Sequence, residues 1–247
     1  GHPPWSASAQ PGPDGGTVRA ATEADLERVI GQFAAAAARS HAAGFAGVEL
    51  HGAHGYLLSQ FLSTTMNLRD DRWGGAFENR ARLVREATRA ARAATPSGFL
   101  VGVRLSPEDY GNARGLDLDE SLELAARLAD DGADFVHVSL WNARNPTQKR
   151  PDQHPVPLFR AALPRDVALV VAGEVWTRAD ADALLEKGAD AVALGRSAIA
   201  NPDWPARVAD PAWQPCRLPL SVDELHARGL SPRFTGYMRN WKGFVAD

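Results

Sequence analysis

Three side chains able to handle protons or donate hydrogen bonds fall within six residues, in the run His51-Gly-Ala-His54-Gly-Tyr56. The run follows the apolar segment Gly47-Val-Glu-Leu50, so it reads as a loop at the end of a strand. Two imidazoles three residues apart can both present N–H groups to one oxygen. They can equally bind a metal with Glu49 as third protein ligand, the number that catalytic zinc takes. A third reading makes them loop histidines hydrogen-bonded to backbone. Residue type alone leaves all three open. Tyr56 carries a hydroxyl that can donate a proton, or it is a rim aromatic packed on Leu57 and Phe61.

Charged residues sit at other strand ends. Side chains alternate along a strand, so Gly47, Glu49 and His51 share one face, as do Gly102 and Arg104. In both strands a glycine leaves space below a polar residue. A charge inside a sheet or barrel is costly unless it is paired or bound to a ligand. Glu49 and Arg104 are therefore expected to face inward. Either Arg104 reaches a cofactor, or the two form a structural ion pair. Ser139-Leu-Trp141 ends a third strand. Gly173-Glu174 and Gly195-Arg196 end the last two, and Ser197 begins a helix. Glycine lets a backbone approach a ligand closely, and an arginine fork fits phosphate. Barrels commonly hold phosphate on their last two strand-end loops with a helix N-terminus.

These residues need a scaffold of alternating strands and helices. Thr22 and Asp25 resemble a capping box with Asp in place of Glu. Leu26, Val29, Ile30, Phe33 and Ala37 continue at helical spacing, with Gly44 as the stop. Helix, glycine and short apolar strand recur at 42–50, 130–138 and 186–194. Two more strands fit 99–105 and 167–173. Other helices fit 78–94, 119–131, 147–165, 177–187 and 197–208. The alternation implies parallel strands joined by right-handed crossovers. Residues 1–20, rich in Pro, Gly and Ser, read as a loop without strands, with Gly1-His2 as a cloning remnant. Residues 21–208 form the α/β domain. Residues 209–247 read as a loop-rich tail packed on it, with one short helix near 221–228. Trp213, Arg239 and Trp241 are expected either to seal the bottom of the sheet or to make a subunit contact.

Composition removes several classes. The chain has 247 residues, 45% hydrophobic and 23% charged, with a formal net charge of −3. That balance argues against nucleic acid or an anionic membrane as partner. No apolar run approaches the ~20 residues of a membrane helix. The first residues lack signal-peptide character, so the cytoplasm is the expected compartment. Cys216 is the only cysteine, which excludes an internal disulfide. With no nucleophile motif around it, Cys216 reads as a thiol without a catalytic role.

Five stretches together resemble the old yellow enzyme family of FMN-dependent NAD(P)H:flavin oxidoreductases and ene-reductases. They are GFAGVELHGAHGYLLSQFLS (44–63), RDDRWGGAFENRARL (69–83), VGVRLSP (101–107), ADAVALGRSAIANPDWP (189–205) and LSPRFTGYMRNWKGF (230–244). The resemblance implies a fold of the TIM (β/α)8 barrel type, of which this chain carries the C-terminal five βα units, strands 4–8. It implies that His51 and His54 bind the carbonyl or nitro oxygen of an activated alkene. Tyr56 would protonate the α-carbon. Arg104 would lie by the N1–C2 oxygen edge of FMN, and Gly173, Glu174, Gly195 and Arg196 would hold its phosphate, with NAD(P)H as reductant. Two features depart from the family. Its first three strands are absent, and Trp5-Ser-Ala-Ser8 matches the loop after the third. Glu174 stands where the family more often has Gly or Asn, and a carboxylate there repels phosphate unless it points away. The departures keep other readings in view: a non-catalytic partial barrel, a split-enzyme subunit needing a complementing N-terminal segment, a homo-oligomer, and a metal-assisted barrel lyase using His51, His54 and Glu49.

Overall fold

A computed structural model describes residues 4–12 and 15–246. Gly1-His2, the expected remnant, lies outside the described residues. The first segment is not all loop. Strands β1 (Trp5–Ser6), β2 (Gln10–Pro11) and β3 (Thr17–Ala20) form a small sheet in the order β1-β3-β2. Strands of two to four residues are too short to show an apolar alternation, and their pairing is set at a distance along the chain. Helix α1 (Glu23–Ala42) then begins at the expected capping box. The Asp25 N–H donates to Thr22 Oγ1 at 3.2 Å, and the Thr22 N–H donates to Asp25 Oδ2 at 2.9 Å.

The main body alternates as expected. Strand β4 (Gly47–Gly52) precedes helices α2 (Leu57–Leu62), α3 (Phe77–Arg80) and α4 (Arg82–Ala93). Then come β5 (Leu100–Leu105), α5 (Leu118–Asp130), β6 (Phe135–Ser139), α6 (Pro155–Ala162), β7 (Ala168–Ala172), α7 (Arg178–Glu186) and β8 (Ala191–Ala193). Helices α8 (Arg196–Ala200), α9 (Trp204–Arg207), α10 (Val222–Ala227) and α11 (Pro232–Met238) complete the chain. The five long-range strands form one parallel sheet in the order β4-β5-β6-β7-β8. This is part of a TIM-type barrel. Among the described residues β4 and β8 each have one neighbour in that sheet.

Three helix expectations need correction. The helix expected at 78–94 breaks at Ala81. Residues 197–208 break at Asn201-Pro202, because proline cannot donate to the ladder. The stretch 147–165 is helical only from Pro155. Before it, the N–H groups of Gln148 and Lys149 donate to the Glu108 carboxylate at 2.9 and 2.8 Å, which ties the loop down instead.

The sheet separates chemistry by face. Leu50, Val101, Val103, Leu105, Val136, Val138, Leu169 and Val171 are at most 3% exposed and pack under the helices. Fully burying one such side chain is worth about 1.5–3 kcal/mol, so this layer carries much of the sheet's stability. The opposite face holds a row in register, His51–Arg104–His137–Val170, with Glu49–Gly102–Phe135 one step below. A Cβ on Gly102 would stand 2.1 Å from the Phe135 ring. The space left by that glycine is therefore filled by phenylalanine, which floors the polar row.

No helix among the described residues is long and apolar enough to cross a membrane. Trp213 packs on the main core with Arg207 over its ring at 5.8 Å, while Arg239 is exposed. Trp241 does not seal the bottom of the sheet. With Tyr237 it lines a cavity at the strands' C-terminal ends.

Candidate active site

That cavity measures about 820 Å³. His54, Tyr56, Arg104, Gly173, Glu174, Gly195 and Arg196 all line it. His51 stands one ring behind. Its imidazole meets that of His54 edge-on at 5.1 Å and the Tyr56 ring at 5.0 Å. The Ala53 N–H donates to His51 Nδ1 at 3.4 Å.

Backbone conformation aims the histidine loop. His54 has φ 63° and Gly55 φ 75°, two successive left-handed residues. For histidine this region costs on the order of 1–3 kcal/mol. The cost is met locally. The His54 N–H donates to the buried Ser106 Oγ at 3.0 Å, and a side chain on Gly55 would collide with the Asn112 carbonyl at 2.5 Å. Tyr56 is the N-cap residue of α2, which anchors the loop through buried Leu58 and Phe61.

Beneath the loop runs a polar network. Arg104 Nη2 donates to Ser139 Oγ at 2.9 Å, and His54 Nε2 lies 2.8 Å from the same hydroxyl. Glu49 faces inward as expected, but its partner is His137, with Oε1 2.7 Å from Nδ1. The direct Glu49–Arg104 ion pair does not form. Arg104 Nε and His137 Nε2 are buried without a hydrogen-bond partner. Arg104 is thus a half-buried cation with one neutral acceptor and an open cavity before it. Burial pushes its pKa down, partly opposed by the Glu49 charge; an arginine stays protonated regardless.

Burial, and then the Arg104 charge, lower the pKa of both loop histidines, that of His54 to about 4. Both shifts favour the neutral imidazole at pH 7, which keeps one N–H able to donate without carrying charge. For Glu49 the largest single influence is burial, which raises its pKa. The His137 hydrogen bond and the charges of His137 and Arg104 outweigh it and hold the carboxylate below its usual range. Among the described residues no three His, Cys, Asp or Glu side chains converge as a metal site. Glu49 is turned to His137 and does not join His51 and His54 as a ligand set.

The last two strand ends form the other wall. Gly173 has φ 150° and passes so close to the Leu140–Ala143 loop that a Cβ would meet the Ala143 nitrogen at 2.8 Å. A Cβ on Gly195 would meet nothing within 4 Å, so its backbone is bare toward the cavity. Ser197 Oγ is buried and unpartnered. Glu174, at φ 54°, does not point away. Its Oε1 lies 3.0 Å from Arg196 Nη1, and its Oε2 accepts from Trp176 Nε1 at 2.8 Å. The carboxylate holds the guanidinium expected to be open for phosphate.

Several lining residues lay outside the sequence reading. His137 shares its strand face with Ser139, two residues on, and a histidine inside an apolar strand marks an inward polar face. Ser139 was legible only as a polar strand end. Nothing in the tail sequence signals that Tyr237 and Trp241 close over the strand ends.

Strand-end loops of a partial barrel thus carry two neutral histidines, a tyrosine, an arginine lacking a carboxylate and two glycine-lined turns. A family model described as the NADH:flavin oxidoreductase / NADH oxidase family matches residues 6–212. The chain belongs to that family. It is 37% identical over 196 residues to the probable NADH-dependent flavin oxidoreductase YqiG of Bacillus subtilis, covering 77% of this chain and 52% of the relative. It is 37% identical over 214 residues to the NADH:fumarate oxidoreductase of Klebsiella pneumoniae, covering 83% and 23%. The old yellow enzyme homologue of Zymomonas mobilis superposes with a TM-score of 0.74 at 29% identity, over 91% of this chain and 65% of that one. The chain spans about half the length of the Bacillus relative, or less for the Klebsiella one.

Proposed function

We propose that this chain carries the flavin- and substrate-facing half of an FMN-dependent oxidoreductase that reduces activated C=C bonds of α,β-unsaturated carbonyl or nitro compounds with NAD(P)H. The observation that carries the reading is the convergence of neutral His54, Tyr56 and a carboxylate-free Arg104 on one cavity of about 820 Å³. Family membership supports it.

The residues fit FMN at three points. Arg104 offers a cation with an orphaned Nε, suited to the electron-rich N1–C2 oxygen edge of the ring. Gly195 exposes bare backbone. Ser197 Oγ waits buried without a partner. Gly173, the Glu174 N–H, Gly195 and Arg196 are assigned to the phosphate. When bound, FMN supplies the hydride that NAD(P)H delivers to it. The chain's own residues do the rest. His54, with His51 behind it as second donor, hydrogen-bonds the carbonyl or nitro oxygen and draws electron density from the alkene. Neutral donors do this without a counter-ion to desolvate. Tyr56 donates its hydroxyl proton to the α-carbon. Tyr237, Trp241 and Trp141 give the mouth an aromatic rim against which a flat substrate can pack.

The open edges of β4 and β8 support a corollary. Further strands, from the same polypeptide or a partner, pair with them, because unpaired edges invite aggregation. The test is NADH oxidation by the flavin-loaded protein under anaerobic conditions with 2-cyclohexenone or β-nitrostyrene. Turnover that depends on the alkene and falls about a hundredfold in Tyr56→Phe supports the assignment. Alkene-independent oxidation alone, or an unaffected Tyr56→Phe, refutes it.

A further inference from the structure

Ser139, at the C-terminal end of β6, is 5% exposed and touches both Arg104 and His54. A hydroxyl has one hydrogen and two lone pairs. Arginine only donates, so Arg104 Nη2 takes one lone pair. The remaining question is which way the bond to His54 Nε2 runs. A neutral imidazole carries one N–H. If that proton sat on Nε2, Ser139 would accept from both neighbours, and its own hydrogen would have no protein acceptor among the described residues. If Ser139 donates to Nε2, the hydroxyl hydrogen and the imidazole lone pair are both used, and Arg104 Nη2 keeps its acceptor. The Arg104 charge polarises the hydroxyl and makes it a better donor. His54 Nδ1 has no protein partner among the described residues and is not buried, so a proton there is available to the cavity.

We propose that Ser139 is a positioning residue that locks His54 in its Nδ1–H tautomer, through a directed chain Arg104 → Ser139 → His54 Nε2. The N–H that meets a substrate oxygen is then Nδ1–H, a clause that rests on the oxidoreductase reading above. The tautomer itself does not. The chain also couples the cofactor-facing cation to the substrate-facing ring. Weakening the arginine's hold on Ser139 frees the hydroxyl to rotate and loosens the tautomer.

The test is ¹⁵N NMR of histidine-labelled protein at pH 7, with His54 assigned from a His54→Gln variant. Wild type is expected to show a protonated Nδ1 and an accepting Nε2. Ser139→Ala is expected to convert His54 to a mixture or to the Nε2–H form. Ser139→Thr, which keeps the hydroxyl, is expected to restore the wild-type pattern, and Arg104→Gln to shift it part of the way. Circular dichroism checks that each variant folds. In alkene turnover, Ser139→Ala is expected to lose about tenfold in kcat, with Ser139→Thr recovering most of it. An Nε2–H ring in wild type, or a tautomer unmoved by Ser139→Ala, overturns the proposal. A wild-type protein that shows the Nδ1–H ring but binds no FMN would instead sink the functional reading and leave the tautomer assignment standing.

Discussion

Glu174→Gln is expected to tighten binding of FMN without tightening binding of riboflavin. Glu174 lies 3.0 Å from Arg196 and occupies the guanidinium that a phosphate needs. Binding the phosphate therefore means breaking that pair and holding a second anion beside the carboxylate. The side chains are 25% and 45% exposed, so solvent screens both effects. Exposed pairs are worth about 0.2–1 kcal/mol. Releasing the pair and removing the repulsion together come to about 1–2 kcal/mol, roughly five- to thirtyfold in Kd. Glutamine keeps the acceptor for Trp176 Nε1 and the left-handed backbone of position 174, so packing should hold. The assay is fluorescence titration of both flavins against wild type and variant at low and high salt. At about 1 M salt the Debye length is ~3 Å, and the gain for FMN should shrink. Equal changes for FMN and riboflavin, or no change for FMN, would show that the carboxylate does not compete with phosphate.

Three further outcomes follow from the same geometry. His54, with its pKa lowered to about 4, should stay neutral from pH 8 to 5; a lowered histidine pKa adds stability that is full above the unfolded value near 6.5 and is lost as pH falls toward 4, and an NMR titration placing His54 near 6.5 would contradict its burial beside Arg104. Arg104→Met should abolish FMN binding yet raise the stability of the flavin-free protein by about 1 kcal/mol, since it removes a half-buried cation with no carboxylate; urea denaturation and flavin titration read the two effects separately. Gly102→Ala should destabilise by about 1–3 kcal/mol, because its Cβ meets the Phe135 ring; a neutral effect in urea would mean the floor of the polar row is looser than described.

The parallel strands and their loops were legible because apolar runs followed by Gly, His or Arg stand out against polar helices. Glu49 and Arg104 were placed inward by alternation alone. Their partners were not, since alternation gives the face and not the neighbour. It took the register His51–Arg104–His137 to show that Glu49 meets His137 across Gly102. Glu174 reached Arg196 through a left-handed backbone that no propensity favours for glutamate. Strands β1–β3 and helices α2 and α11 are too short to carry a period. The tail sequence leaves a bottom seal and a subunit contact equally open, because nothing in Trp213 or Trp241 says which end of the sheet an indole caps.

A crystal structure grown with FMN tests the central claim most directly. The account predicts flavin density in the cavity of about 820 Å³, its ring edge within hydrogen-bond reach of Arg104 and its phosphate on Gly195 and Arg196, with Glu174 swung off the guanidinium. Density elsewhere, or a flavin whose phosphate avoids Arg196 while Glu174 stays in place, would contradict it.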